Sequence, residues 1–315
     1  MNIRATTTAA AFALTLAAGC VFGAWVYEGQ WGSRGSGNGQ FYFPWGIDLA
    51  SNGDVYVLDS YNDRAQYFTA TGSFRAVFAQ GRFDRAKGLA LGSRNYVYVA
   101  DWFNHCVQYY TSSGSYVGRW GTGGFGNGEF NRPAAVEAAL DGTVYVCDTN
   151  NDRMQYFTST GSFLGKWGRV GNGNGEFIYP GGVAVGRNGR VYVADTFNHR
   201  LQYFTSAGSY LGQWGEGGTE NGQFDEPRGV ACAPNGDVYV ADYRNYRVQY
   251  FSPTGSFKGK LGGFVYPTDV VLTPAGDRLY VLDGYNDQVQ YFRWSAPAVV
   301  PASLGRVKAL FNCEG

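Results

Sequence analysis

Three carboxylates replace small residues at corresponding positions of this chain's sequence repeats. Asp48 and Glu137 stand where the other repeats have Ala or Val, and Asp269 stands where they have Gly or Ala. Carboxylate oxygens are the ligands of hard cations such as Ca²⁺. The alternative is that each carboxylate is hydrated or paired with a neighbouring group, because a buried charge needs a partner. These three residues are the candidate calcium site, and no other cofactor is expected.

Other residue patterns argue against several catalytic chemistries. The chain has 2 His and 5 Cys, and no CxxC pair occurs, so a zinc cluster is not expected. There is no GxSxG motif of a nucleophilic Ser. The segments SGNGQF, FGNGEF and NGNGEF lack the Lys-Ser/Thr and the helix of a phosphate-binding loop, which predicts plain linkers.

The elements that must position these residues are repeats of about 45 residues. Six related phrases occur: YVLDSYNDRAQYF, YVADWFNHCVQYY, YVCDTNNDRMQYF, YVADTFNHRLQYF, YVADYRNYRVQYF and YVLDGYNDQVQYF. Only strand-like patterning surrounds them, with turn residues between short apolar runs. This period and patterning predict the four-stranded blades of a β-propeller.

The last repeat lacks an outer strand, and the matching segment VYEGQWG lies near the N-terminus. The fold prediction is therefore an all-β, six-bladed β-propeller of four-stranded antiparallel blades, closed by an N-terminal strand that completes the last blade. A closed ring leaves no exposed sheet edge. The predicted closing strand is 25–32, the blades are about 37–79, 80–121, 126–168, 173–215, 220–262 and 263–296, and the tail is 297–315.

The pattern GNGxF–xxPxGV–xxxGxVYVADxxNHRxQYF resembles the NHL repeat, most closely at Phe197-Asn198-His199-Arg200-Leu201. The resemblance covers about 24–296 and implies the propeller fold. It does not choose among functions, because NHL propellers serve as RNA readers, ubiquitin-ligase substrate modules, sensor domains and amidating lyases. The lyase branch holds zinc with several histidines, and the two here, His105 and His199, cannot assemble that site.

The repeated Asp ends one strand, and in four repeats an Arg opens the next strand five residues later. Such spacing predicts a cross-strand pair that shapes the loop rather than a catalytic group. As pairs of surface groups they are expected to contribute about 1 kcal/mol or less each. The pairs are Asp59 and Arg64, Asp148 and Arg153, Asp195 and Arg200, and Asp242 and Arg247.

The loop after the repeated Asp differs from one repeat to the next and is rich in large side chains. All six loops are predicted to share one face of the disc, where aromatic residues suit a protein or carbohydrate partner. The alternative is that the rings pack on adjacent blades. The candidate binding residues are Tyr61, Trp102, Phe103, Phe197, Tyr243, Arg244 and Tyr285.

Residues 1–23 have the pattern of a secretory signal peptide, with Arg4 before an uncharged run. Cleavage after Gly23 and lipidation of Cys20, in the lipobox-like LAAGC, are both compatible with it; an uncleaved anchor is a third alternative. We therefore expect a secreted, periplasmic or lipid-anchored protein. The tail carries Leu304, Val307, Leu310 and Phe311, which fit either a cover on blade 6 or a sorting segment.

Charge and composition favour a binding module. Lys+Arg and Asp+Glu are both 25, and zero net charge together with export argues against nucleic acid as a partner. We expect an exported, non-enzymatic binding or scaffold propeller that binds a protein or carbohydrate through loops on one face. The alternative is a lyase or lactonase-like enzyme with a metal in the central channel.

Overall fold

Short runs of aromatic and β-branched residues, each ended by Gly, Asn, Asp or Ser, form the strands of this chain. The computed structural model describes residues 23–92 and 94–296 and arranges them as six four-stranded sheets. This confirms the prediction of a six-bladed β-propeller with four-stranded antiparallel blades.

The strands follow the chain from the inside of each blade to the outside. The N-terminal strand is β1 (Ala24–Trp31). Blade 1 contains β2 (Gly46–Leu49), β3 (Val55–Asp59), β4 (Arg64–Phe68) and β5 (Phe74–Phe78). Blade 2 contains β6 (Gly88–Leu91), β7 (Tyr96–Asp101), β8 (Cys106–Thr111) and β9 (Tyr116–Trp120). Blade 3 contains β10 (Ala135–Ala138), β11 (Val144–Asp148), β12 (Arg153–Phe157) and β13 (Phe163–Trp167). Blade 4 contains β14 (Pro180–Val185), β15 (Val191–Asp195), β16 (Arg200–Phe204) and β17 (Tyr210–Trp214). Blade 5 contains β18 (Pro227–Cys232), β19 (Val238–Asp242), β20 (Arg247–Phe251) and β21 (Phe257–Gly262). Blade 6 contains β22 (Pro267–Leu272), β23 (Arg278–Asp283) and β24 (Gln288–Ser295).

One turn of 3-10 helix follows the repeated Asp in five blades, and the loop then returns through a residue in the left-handed region, such as Asp152 at φ 50°. These loops and the starts of the inner strands lie on the same face of the disc, because the first two strands of each blade are antiparallel. We call this the loop face. The helical turns are Ser60–Asn62, Thr149–Asn151, Thr196–Asn198, Tyr243–Asn245 and Gly284–Asn286.

The six inner strands surround a central channel, and contact between β2 and β22 completes their ring. The hydrophobic core lies between adjacent blades, where the Phe of each linker is fully buried in four cases. Gly32, at φ 100°, ends the strand that faces one such Phe, and a Cβ there would lie 2.6 Å from the Phe41 ring. Gly32 is therefore required both by its backbone conformation and by the lack of space for a Cβ.

β1 lies beside β24 in the sheet order β1-β24-β23-β22. The Trp31 ring contacts Tyr280 and Tyr291 of blade 6 and also Phe68 of blade 1. The importance of β1 for ring closure stays a prediction.

The propeller is one compact unit, Trp25–Trp294. No helix among the described residues is long and apolar enough to cross a membrane. The predicted signal peptide, the lipidation site Cys20 and the tail 297–315 lie outside the described residues, apart from Gly23.

Candidate functional site

A buried polar network shapes the loop after each repeated Asp. In blade 3, Asp148 is fully buried and lies opposite Arg153 in the β11–β12 ladder. Arg153 Nε donates to Asp148 Oδ2 at 2.6 Å, and Asn151 Nδ2 donates to both carboxylate oxygens. Burial raises the pKa of Asp148, and hydrogen bonds from Asn131, Asn151 and Arg153 oppose that rise. The carboxylate is thus held by several donors at once.

The same Arg ties the loop to the linker between blades. The Arg153 guanidinium donates to the carbonyl oxygens of Phe125 and Gly126, both at 2.7 Å, and of Glu129 at 3.0 Å. In the other Arg-bearing blades the Nε–carboxylate distances are 2.7 Å for Arg64–Asp59, 2.8 Å for Arg200–Asp195 and 2.7 Å for Arg247–Asp242. The expectation of surface pairs was wrong, because the Arg side chains are at most 9% exposed and the carboxylates 0%. Each pair is part of a blade's interior.

Blades 2 and 6 lack the Arg, yet their carboxylates are also satisfied. Asp101 accepts from Asn104 at 2.8 Å and from Gln108 at 2.6 Å. Asp283 accepts from Asn286 at 2.8 Å and from Gln290 at 3.1 Å. The repeated polar residues are therefore committed to loop structure in every blade.

The three predicted cation ligands, Asp48, Glu137 and Asp269, line one cavity of about 200 Å³ in the channel. Each accepts a hydrogen bond from the inner strand of the next blade, whose channel-facing edge has unpaired N–H groups. The donors are Ile47 N–H to Asp269 at 3.1 Å, Leu91 N–H to Asp48 at 2.6 Å, and Val185 N–H to Glu137. These carboxylates connect neighbouring blades.

Burial makes these carboxyl groups weak acids. It raises the pKa of Asp48 to about 6 and that of Asp269 to about 7. Burial, together with the charge of Asp48, raises the pKa of Glu137 well above its usual range. Among the described residues, no group of three or more His, Cys, Asp or Glu side chains is placed to hold a metal ion. The geometry fits the alternative of pairing with a neighbour, and calcium binding stays a prediction.

The seven predicted binding residues all lie in the loops between the second and third strands of their blades, on the loop face. They are not equally accessible: Trp102 is buried and contacts the Tyr179 ring at 5.9 Å. Phe103 and Tyr243 are half-buried. The exposed members are Tyr61, Phe197, Arg244 and Tyr285.

Sequence reasoning missed a second set of residues on this face, which are the first and third residues of a triplet at the start of each inner strand. The first residue of each triplet is in the left-handed region, with φ between 46° and 60°. The sequence carried a signal for these residues, because the first and third positions of the triplet vary from repeat to repeat. The triplets are Phe43-Pro44-Trp45, Arg85-Ala86-Lys87, Arg132-Pro133-Ala134, Tyr179-Pro180-Gly181, Glu226-Pro227-Arg228 and Tyr266-Pro267-Thr268.

Residues of both sets form a continuous aromatic surface around part of the rim. Ring centroids are 5.3 Å apart for Tyr61 and Phe43, and 5.6 Å for Phe43 and Tyr285. The series continues through Tyr266, at 5.7 Å from Tyr285 and 4.8 Å from Tyr243. This surface extends from blade 1 across blade 6 to blade 5.

Cations alternate with aromatic rings at the channel entrance on the loop face. Lys87 Nζ is 3.5 Å from the Trp102 ring centroid and 4.5 Å from that of Trp45. Arg228 Cζ is 5.0 Å from the Trp45 ring and 4.1 Å from that of Tyr243. Cations over aromatic faces are attracted by the ring quadrupole. Trp45 of blade 1 thus connects blade 2 with blade 5 across the entrance.

The charges at the entrance are not balanced. Glu226 pairs with Arg228 at 2.9 Å and with Arg244 at 2.7 Å. Lys87 has no ion-pair partner among the described residues. Burial lowers the pKa of Lys87 to about 7, and repulsion from Arg228 and Arg132 adds to the effect.

Comparison with known families decides the identity of the repeats. The NHL repeat model matches residues 41–64, 177–204 and 224–251, which lie in blades 1, 4 and 5. The chain is an NHL-repeat β-propeller. No curated protein matches the sequence of this NHL propeller significantly.

Solved structures similar to the NHL propeller share its fold at low sequence identity. Virginiamycin B lyase from Staphylococcus aureus has a TM-score of 0.59 and 12% identity, over 79% of this chain and 94% of the lyase. A gluconolactonase from Xanthomonas campestris has a TM-score of 0.64 and 13% identity, over 82% and 88%. A chain of a nidogen/laminin complex has a TM-score of 0.56 and 14% identity, over 70% and 80%. At such identities the likeness concerns the fold alone.

Proposed function

We propose that this NHL propeller is an exported, non-enzymatic binding module that holds a protein or carbohydrate partner on its loop face. The main support for this proposal is that the residues that differ between blades lie on this face, where they present exposed aromatic rings and cations. The repeated polar residues, by contrast, are consumed by buried networks such as that of Asp148 and Arg153.

The composition of the face supports binding. Tyr61, Phe197 and Tyr285 are each more than 40% exposed and stand on a rigid strand framework. Large aromatic side chains supply contact area at little entropic cost, and they dominate the energy of many interfaces. A propeller in a nidogen/laminin complex is a precedent for this architecture in a protein assembly. Export rests on the signal-peptide pattern of residues 1–23.

The test is to identify the partner and then map its site. The mature chain is immobilised and screened against a glycan array and against proteins cross-linked in its native extracellular fraction. The double variant Phe103→Ser/Phe197→Ser removes two rings from the loop face. We expect it to lose the partner and to remain folded, because Phe197 is exposed and Phe103 is half-buried at the surface rather than part of the core.

Leu140→Ser is the matched control. Leu140 is 82% exposed and lies in the turn between β10 and β11, on the opposite face. The Leu140→Ser variant should still bind the partner. Equal binding by the double variant, or loss of binding in the Leu140 variant alone, would assign the site to another surface.

A second candidate function is a lyase or lactonase-like enzyme that uses a metal in the channel. Its support is that Asp48, Glu137 and Asp269 line one cavity, and that Asp48 and Glu137 also line a second space of about 410 Å³ on the opposite face. The fold likeness to a lyase and a gluconolactonase makes this worth testing. Calorimetric titration with calcium should give heat in the wild type and none in Asp48→Asn/Glu137→Gln. Absence of heat at millimolar calcium in the wild type would remove this candidate's main support.

A further inference from the structure

We propose that a pocket on the loop face between blades 1 and 2 binds the carboxylate of a ring-shaped ligand, either an acidic sugar or an aromatic acid. The pocket has a volume of about 150 Å³. Since it specifies the chemistry of a ligand for the loop face, the proposal rests on the proposed function. The lining residues are Trp45, Ser60, Tyr61, Arg85, Lys87, Trp102 and Phe103.

The lining carries positive charge without negative charge. Two of its side chains, Arg85 and Lys87, are basic, and none is acidic. A third cation stands nearby, because Arg132 lies 4.9 Å from the Phe103 ring, whose centroid is 5.5 Å from Arg85. None of these three cations belongs to an ion pair within 23–92 and 94–296. The site therefore lacks a counter-charge that an anionic group would supply.

Lys87 is the cation that an anionic group would stabilise most. It is partly buried between two indole rings, and the charged groups that act on it, Arg132 and Arg228, repel it. Glu226, the carboxylate at the channel entrance, is already shared by Arg228 and Arg244. A carboxylate brought by a ligand would form a charge-assisted hydrogen bond, which is stronger than a neutral one.

The walls determine the shape of the rest of the ligand. Four of the seven lining residues are aromatic, and Tyr61 is also exposed at the rim. Flat aromatic faces bury area against another ring, whereas a few polar groups fix its orientation. An isolated inorganic anion would neutralise the cations but would bury little of this aromatic area. The pocket therefore fits a single ring with an attached carboxylate.

Calorimetric titration of the full chain with glucuronate and with benzoate tests the proposal and distinguishes the two ligand sources. Glucose and benzyl alcohol are the uncharged counterparts, and inorganic phosphate is the anion without a ring. We expect at least one of the two acids to bind and the uncharged counterparts and phosphate to bind at least about tenfold more weakly. Phosphate binding as tightly as both acids, or no binding of either acid at millimolar concentration, would overturn the proposal.

Three variants locate the site. Lys87→Met should weaken acid binding at least about tenfold, the size expected for a lost charge-assisted hydrogen bond. Lys87→Arg should retain binding, and Lys260→Met, at an exposed position of β21, should have no effect. Equal acid binding by Lys87→Met and wild type would contradict the assignment. The retained binding of Lys87→Arg also shows that the fold around the pocket is intact.

The pH dependence gives an independent readout. Because the pKa of Lys87 is lowered to about 7, raising the pH through that value removes the charge and should weaken acid binding in the wild type. Lys87→Arg should bind equally at pH 6 and pH 9, since guanidinium stays charged. A parallel pH profile in the two proteins would count against Lys87. If neither acid binds while the Phe103→Ser/Phe197→Ser variant loses its captured partner, this inference fails and the proposed function stands.

Discussion

Removal of Arg153 is the most direct test of how the blades hold their loops. In Arg153→Ala the carboxylate of Asp148 stays fully buried and loses the donor at 2.6 Å. Breaking a buried pair by removing one partner costs about 3–5 kcal/mol. Asp148 keeps hydrogen bonds from Asn151, Gln155 and Asn131, which favours the lower end of that range. The carbonyls that Arg153 leaves behind, including that of the exposed Phe125, can be hydrated.

We therefore expect Arg153→Ala to lower the free energy of unfolding by about 3 kcal/mol. For a propeller of this size that corresponds to a fall in melting temperature of about 5 °C. The assay is equilibrium denaturation in urea together with a thermal melt followed by circular dichroism. An unchanged m value would show that the variant unfolds as the wild type does.

Arg169→Ala is the matched control, because the Arg169–Glu176 pair in the same part of the chain has an Arg side chain that is 80% exposed. Arg169→Ala should reduce the stability much less than Arg153→Ala does, because solvent screens an exposed pair. Adding Asp148→Asn to Arg153→Ala should recover part of the loss by removing the unpaired charge. Lowering the pH should also reduce the penalty of Arg153→Ala, since Asp148 with a raised pKa takes up a proton in the folded state. Equal losses for Arg153→Ala and Arg169→Ala would refute the reasoning.

Two further predictions concern ring closure and the channel. Trp31→Ala and Trp120→Ala, its counterpart in the outer strand of blade 2, should each lower the free energy of unfolding by about 3–5 kcal/mol. Deletion of 24–32 should lower the melting temperature further. An unchanged melting temperature in the Trp31 variant, beside a destabilised Trp120 variant, would show that β1 is dispensable. Asp269, with its pKa raised to about 7, contributes stability that is present below about pH 4 and lost as the pH rises through 7. Asp269→Asn keeps an acceptor for Ile47 N–H, so its melting temperature relative to the wild type should rise from pH 5 to pH 8, and parallel pH profiles would be the contrary outcome.

Local pattern was enough for the architecture. Strand type, blade number and the pairing of Asp148 with Arg153 all follow from spacing along the chain, because a hairpin is set by residues only a few positions apart. The six copies reinforced one another, so that the absence of an outer strand in the last repeat was visible from the sequence.

Burial within the loops was not visible from the sequence. The repeated Arg is typical of a surface position, and only the fold shows that the linker carbonyls of the preceding segment enclose it. Trp102 and Phe103 are adjacent in sequence, yet the first is buried against Tyr179 of blade 4 and the second is partly exposed. Which aromatic ring of a loop is buried depends on contacts with the following blades, whose residues are distant in sequence.

The sequence alone thus determined the repeats, the blades and the face on which variable residues collect, because each depends on short-range periodicity. Only the tertiary structure placed Trp45 of blade 1 against Arg228 and Tyr243 of blade 5, and Asp269 beside the N–H of Ile47. These contacts join residues about two hundred positions apart. Closing a ring brings such residues together across the channel, and no local preference of the chain encodes the distances that result.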